Sequence, residues 1–158
     1  MREGPIALDL SKLAPASSRI AARLFNAIPD AQAYSRMEGS AYADLLVEIP
    51  SPTGDPDRQL VIWMEGGDEP SLAFGEWHTH VSPSEDGKLF DLAKAILADQ
   101  LVLAYHMSEE QSGYCDLIDL RDPDALLEEL TSEHSSGHVR TRTWSGRGDR
   151  EFSSEDRC

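Results

Sequence analysis

A chain of 158 residues with 40% hydrophobic and 27% charged side chains is long enough for one domain with a sizeable core. Its 14 Lys and Arg against 29 Asp and Glu give a formal net charge of -15, which excludes nucleic acid as a partner because phosphate binding needs clustered cations. No apolar run approaches the ~20 residues of a membrane helix, and Met1-Arg2-Glu3-Gly4-Pro5 lacks the pattern of a secretory signal, so the chain is expected in the cytoplasm and away from membranes.

Residues 1–14 show little periodicity and read as a lead-in. From Pro15 to Ile28 the spacing of Ile20, Leu24, Phe25 and Ile28 predicts an amphipathic helix, with Ser17 or Ser18 available as a cap. Pro29-Asp30 ends it, and 31–37 can add a short turn. Between Tyr42 and Ile49, Leu45, Val47 and Ile49 alternate with Asp44, Leu46 and Glu48, the pattern of a half-buried strand. A turn-rich loop, 50–56, leads to a second strand from Gln59 to Glu65, with Leu60, Ile62 and Met64 on one face and Val61 and Trp63 on the other. Gly66-Gly67-Asp68 then turns the chain into a third strand over about 70–80.

Ser82-Pro83-Ser84-Glu85 spells a capping box, and Leu89, Phe90, Ala93, Ile96 and Leu97 form one apolar helical face. Gly87 weakens the first turn of that helix. Leu101 to Met107 reads as a buried central strand and Cys115 to Leu120 as another. Asp122-Pro123 opens a third helix whose Leu126, Leu127 and Leu130 are expected to face inward. His138 to Trp144 makes a last strand. The expected fold is a single α+β domain over residues 1–150, a mostly antiparallel sheet of five to six strands covered by two to three helices, with 151–158 a polar tail that is expected to be disordered.

Chemistry concentrates in Phe74-Gly75-Glu76-Trp77-His78-Thr79-His80. If this segment is extended, Glu76, His78 and His80 share one face and Gly75, Trp77 and Thr79 the other. Two imidazoles two apart on a strand can reach one divalent ion, or they can brace the strand by bonding carbonyls and the acids Glu76, Glu85 and Asp86. Bracing is the commoner use of such a pair. A second concentration is basic: His138, Arg140, Arg142 and Trp144 share a face by alternation, so Arg142 can bind an anion, stack on Trp144 or neutralise internal carboxylates. His106, on an alternating strand, can join the histidine face if that strand lies beside the third one. Cys115 reads as a small buried hydrophobe; with Cys158 it makes no disulfide framework, so both thiols are expected reduced.

The run from His78 to Asp91 resembles the H-x-H-x7-S-x-x-D pattern of JAMM (JAB/MPN) metalloproteases. That resemblance implies a zinc hydrolase, an isopeptidase or peptidase, with His78, His80 and Asp91 as ligands and Glu38 or Glu48 as base. Lys88 stands where the family has serine, and Val81 where it has proline. Two tags, Phe74-Gly-x-Trp77-His78-Thr79-His80 and Thr143-Trp144-Ser145-Gly146-Arg147-x-Asp149, together resemble small uncharacterised bacterial cytoplasmic proteins similar to immunity proteins of contact-dependent toxin systems. This second resemblance implies a non-catalytic binding module without a cofactor, whose acidic surface blocks a basic toxin domain. Acid-rich segments near 55–57, 65–69, 108–110 and 128–133 would supply that surface. Glu76, Trp77, His78, His80, Arg142 and Trp144 are then the candidate binding residues. The broken metalloprotease pattern favours binding over catalysis.

Overall fold

Leu45, Val47 and Ile49 are buried while Leu46 and Glu48 between them are half-exposed, the signature of a strand with one face in a core. In the computed structural model, which describes residues 8–38, 44–65, 69–106, 115–132 and 137–157, this segment is β2 (Leu45–Ile49) of a five-stranded sheet. The others are β1 (Ser35–Met37), β3 (Leu60–Glu65), β4 (Glu69–Phe74) and β5 (Trp77–His80), in the order β1-β2-β3-β4-β5 with every neighbouring pair antiparallel. A second, four-stranded antiparallel sheet contains β6 (Leu101–His106), β7 (Cys115–Asp119), β8 (His138–Arg142) and β9 (Arg150–Ser153), in the order β7-β6-β8-β9.

Helices α1 (Pro15–Ala27) and α2 (Asp86–Leu97) bury Ile20, Leu24, Leu89, Phe90 and Ile96 in one core with Val47, Ile62, Leu72 and Phe74 of the first sheet. Leu101 and Leu103 of β6 join that core, so one face of the second sheet closes it. The opposite face of the second sheet, with Val102, Ala104, Ile118 and Val139, forms a separate small cluster under Leu126 and Leu130 of α3 (Ala125–Thr131). No described helix is long and apolar enough to cross a membrane. The fold is α+β.

Several local expectations are corrected. Nine strands among the described residues divide into two sheets rather than one. The stretch 70–80 is a hairpin, because Gly75 at φ +57° and Glu76 turn the chain back on itself. A short strand, Ser35–Met37, follows a 3-10 segment over Pro29–Tyr34. Neither serine caps α1. Instead the Asp44 carboxylate accepts from the Ala14 amide at 3.1 Å and from the Ser17 hydroxyl at 2.6 Å, reaching in from the start of β2. A 3-10 turn, Pro83–Glu85, precedes α2, and Ser82 donates to the Glu85 carboxylate at 3.3 Å rather than capping the backbone. Leu127 is exposed, not inward. β9 runs from Arg150 to Ser153, so Glu151, Phe152 and Ser153 of the tail expected to be disordered pair with β8, and the chain leads on into a 3-10 turn at Ser154–Arg157. The turn expected at Gly66-Gly67-Asp68 lies outside the described residues.

The two sheets are latched by loops. Arg58, only 13% exposed, bonds Asp55 at 3.1 Å, the Thr143 carbonyl at 3.1 Å and both oxygens of Asp149 at 2.8 and 2.6 Å. Ser51 donates to the Trp144 carbonyl at 2.6 Å, and Asp99 accepts from the Ser145 amide at 3.0 Å and from its hydroxyl. The tag from Thr143 to Asp149 is therefore the clasp that ties the β8–β9 loop to the loop before β3 and to the end of α2.

Candidate functional site

Register and alternation together define what lies on the outer face of the five-stranded sheet. Arg36, Leu46, Trp63, Ser71 and His80 are successive cross-strand partners from β1 to β5. Glu48, Val61, Ala73 and His78 make the adjacent row. The residues between them in sequence, such as Val47, Ile62, Leu72 and Thr79, point to the opposite face, where α1 and α2 pack. His78 and His80 are exposed, and Leu46, Val61, Trp63 and Ala73 are half-buried.

Ser71 explains how the aromatic side chains meet. It is a small, fully buried residue on β4 between Trp63 on β3 and His80 on β5. Its hydroxyl lies 2.6 Å from His80 Nδ1, which fixes the imidazole over the strand. Trp63 and His80 then come together edge to face across it, centroids 6.1 Å apart, and His80 meets His78 the same way at 5.5 Å. The result is a ridge, Trp63–His80–His78, on a hydrogen-bonded sheet. On the same face Glu48, bonded by Arg36, lies diagonally across from Trp63, and the exposed Glu69 lies two residues from Ser71 on β4.

The sequence placed His78 and His80 together on one outward face, and the structure does the same. It separates the rest. Glu76 sits in the turn before β5, exposed and near Tyr105 and Cys115, whose pKa values are raised first by burial and further by its charge. Trp77 faces inward, pairs with Phe74 and packs on the main core. Trp144 also packs on that core. The Arg142 guanidinium lies 5.2 Å above the Tyr105 ring, so its aromatic partner is Tyr105 and not Trp144. His106 lies on the other sheet, away from the histidine face, and is held by Glu129 of α3 at 2.7 Å. Burial, with Glu76 and Asp116 nearby, pushes the Cys115 thiol up to about 11, which makes it a poor nucleophile.

Zinc ligands must converge at about 2.1 Å on one point. Asp91 lies on α2, which packs against the face opposite His78 and His80, so the three residues of the metalloprotease pattern do not converge. Among the described residues no group of three His, Cys, Asp or Glu side chains is gathered around one point. Glu48 stands three strands from His78 in its row, about 14 Å at ~4.8 Å per strand, and Glu38 lies beyond it. Neither carboxylate is poised over the imidazoles. The residues therefore do not fit the zinc centre that the resemblance implies.

Two contributors escaped the sequence reading. Trp63 was legible only as an aromatic out of phase with Leu60, Ile62 and Met64, and Ser71 carried no signal beyond its small size. Comparison with known protein families, with curated proteins and with solved structures finds no match to this chain.

Proposed function

We propose that this chain is a protein-binding module that takes a basic partner protein on the outer face of its five-stranded sheet, as an immunity protein blocks a cationic toxin domain. The observation that carries the reading is the Trp63–His80–His78 ridge, half-exposed to exposed on a rigid sheet in a chain of net charge -15. Tryptophan on a preorganised surface is the commonest kind of binding anchor, because it buries a large area while losing little conformational freedom. Net negative charge supplies steering, raising the encounter rate with a cation-rich surface and disfavouring acidic competitors. Carboxylates of Glu48 and Glu69 lie on the same outer face, at the Trp63 and Ser71 positions of the ridge, with Arg36 bonded to Glu48. A bacterial cytoplasmic setting belongs to the same reading. A zinc hydrolase has less to stand on, since Asp91 and the imidazoles occupy opposite faces.

The test is affinity capture from extracts of the native host, with the partner identified by mass spectrometry and then purified. The reading expects a strongly basic protein whose retention weakens as salt is raised and disappears with Trp63→Ala bait. Recovery of no protein that discriminates the two baits would sink it.

A further inference from the structure

We propose that His78 and His80 form a two-nitrogen site for a late first-row divalent metal ion, of the Ni(II), Cu(II) or Zn(II) class, at the edge of the five-stranded sheet. Imidazole nitrogen is the protein donor that these ions share. Both rings are exposed and project from the same face of β5, the last strand of its sheet. Their centroids stand 5.5 Å apart. An ion held at about 2.1 Å by one nitrogen of each ring keeps the ring centres roughly 4.5–5.5 Å apart, for ligand angles of about 90–120°. The pair stands at the wide end of that range, and a small side-chain rotation closes it.

Ser71 decides which nitrogen His80 offers. Its hydroxyl has one proton and two neighbours, the Glu69 carbonyl at 3.4 Å and His80 Nδ1 at 2.6 Å. The carbonyl can only accept, whereas Nδ1 can donate or accept. Both bonds form together only when the hydroxyl donates to the carbonyl and accepts from Nδ1–H. That tautomer leaves the lone pair on Nε2, on the side of the ring away from Ser71. Ligating histidines are ordinarily fixed in this way, the second nitrogen donating to a neighbouring oxygen. His78 has Ala73 as its cross-strand neighbour, and a methyl group leaves its ring free to turn toward His80. The net charge of -15 favours a cation as ligand. Among the described residues no third His, Cys, Asp or Glu joins the pair, so water completes the coordination and the ion exchanges readily. The site therefore differs from the zinc centre of the metalloprotease pattern: it uses neither Asp91 nor a glutamate base, and no reaction is assigned to it. It does not rest on the protein-binding reading, because the free chain supplies both nitrogens.

The experiment titrates the full chain, in a Cys158→Ser background that removes the terminal thiol, with Ni(II) and separately with Zn(II) by calorimetry. Proton–nitrogen NMR of the imidazoles runs alongside. One saturable site with a dissociation constant on the order of 10–100 µM is expected near neutral pH. Paramagnetic Ni(II) should broaden His78 and His80 first and leave the exposed His138 sharp. Before metal is added, His80 should be the Nδ1–H tautomer, and Ser71→Ala should remove that preference. His78→Ala and His80→Ala should each weaken binding at least tenfold, Ser71→Ala about tenfold, and Asp91→Ala not at all. Because both histidines are exposed, circular dichroism of their variants should show wild-type folding. No saturation up to about 1 mM of either ion would overturn the assignment. So would binding that survives His80→Ala, or broadening of His138 equal to that of the pair.

Discussion

Arg58 and Asp149, 91 positions apart, share two short bonds at 2.8 and 2.6 Å that fasten the loop before β3 to the loop between β8 and β9. Partial burial acts to raise the Asp149 pKa, but Arg58 and the Thr143 amide outweigh it and hold the carboxyl below its ordinary value. A group depressed in this way stabilises the fold above its unfolded pKa of ~3.9, and that contribution is lost as pH falls through the folded value. Asp149→Asn should therefore cost about 2 kcal/mol at pH 7 in urea denaturation. Below about pH 4 the gap between variant and wild type should shrink. A gap that stays constant with pH would show that the charge contributes nothing.

Gly75 turns β4 into β5 at φ +57°, and a Cβ there would meet Leu103 Cδ1 at 2.8 Å and the Asp57 carbonyl at 2.9 Å. The side chain could bend away, but the Asp57 backbone cannot do so cheaply. Gly75→Ala should destabilise by about 2–4 kcal/mol, from left-handed strain and overpacking together. A change below about 1 kcal/mol would mean that the hairpin is not seated against β6 as described.

Cys115 should react slowly. With its thiol pushed up to about 11, mainly by burial and then by Glu76 and Asp116, the thiolate is scarce at pH 8. In a Cys158→Ser background, alkylation of the folded chain should run on the order of tenfold or more slower than of the urea-unfolded chain. Equal rates would contradict the environment assigned to Cys115.

Asp91 offers a direct check on the placement of α2. If Zn(II) binds the exposed imidazole pair at all, Asp91→Ala should leave its affinity unchanged in calorimetry, whereas His80→Ala should lower it. A tenfold or larger loss in Asp91→Ala would mean that α2 and the imidazoles share a face.

The strands β2 and β3 were legible because every inward position is apolar, from Leu45, Val47 and Ile49 to Leu60, Ile62 and Met64. The hairpin at Gly75 was not, since Glu76 continues the alternation that His78 and His80 begin, and a two-residue turn is hidden inside that rhythm. β9 was invisible for a different reason. Arg150-Glu151-Phe152-Ser153 has one apolar residue, and it is a strand because its register matches β8, which is a long-range fact. Arg58 carried no signal in the sequence: one of its partners, Asp55, is three residues before it, but the other, Asp149, lies 91 positions away, which spacing does not show. At the candidate site the outward pair of histidines was readable from spacing two. Their contact with Trp63 was not, because it depends on a serine from a third strand lying between them.

The central claim is that the Trp63–His80–His78 ridge is the anchor of a protein-binding face. Its most direct test is the affinity of the purified host partner for wild type and for Trp63→Ala, measured by calorimetry across a range of salt. A loss of about 30-fold for Trp63→Ala, with an affinity for wild type that falls as salt rises, is the predicted result. Affinities within about twofold of one another, insensitive to salt, would contradict it.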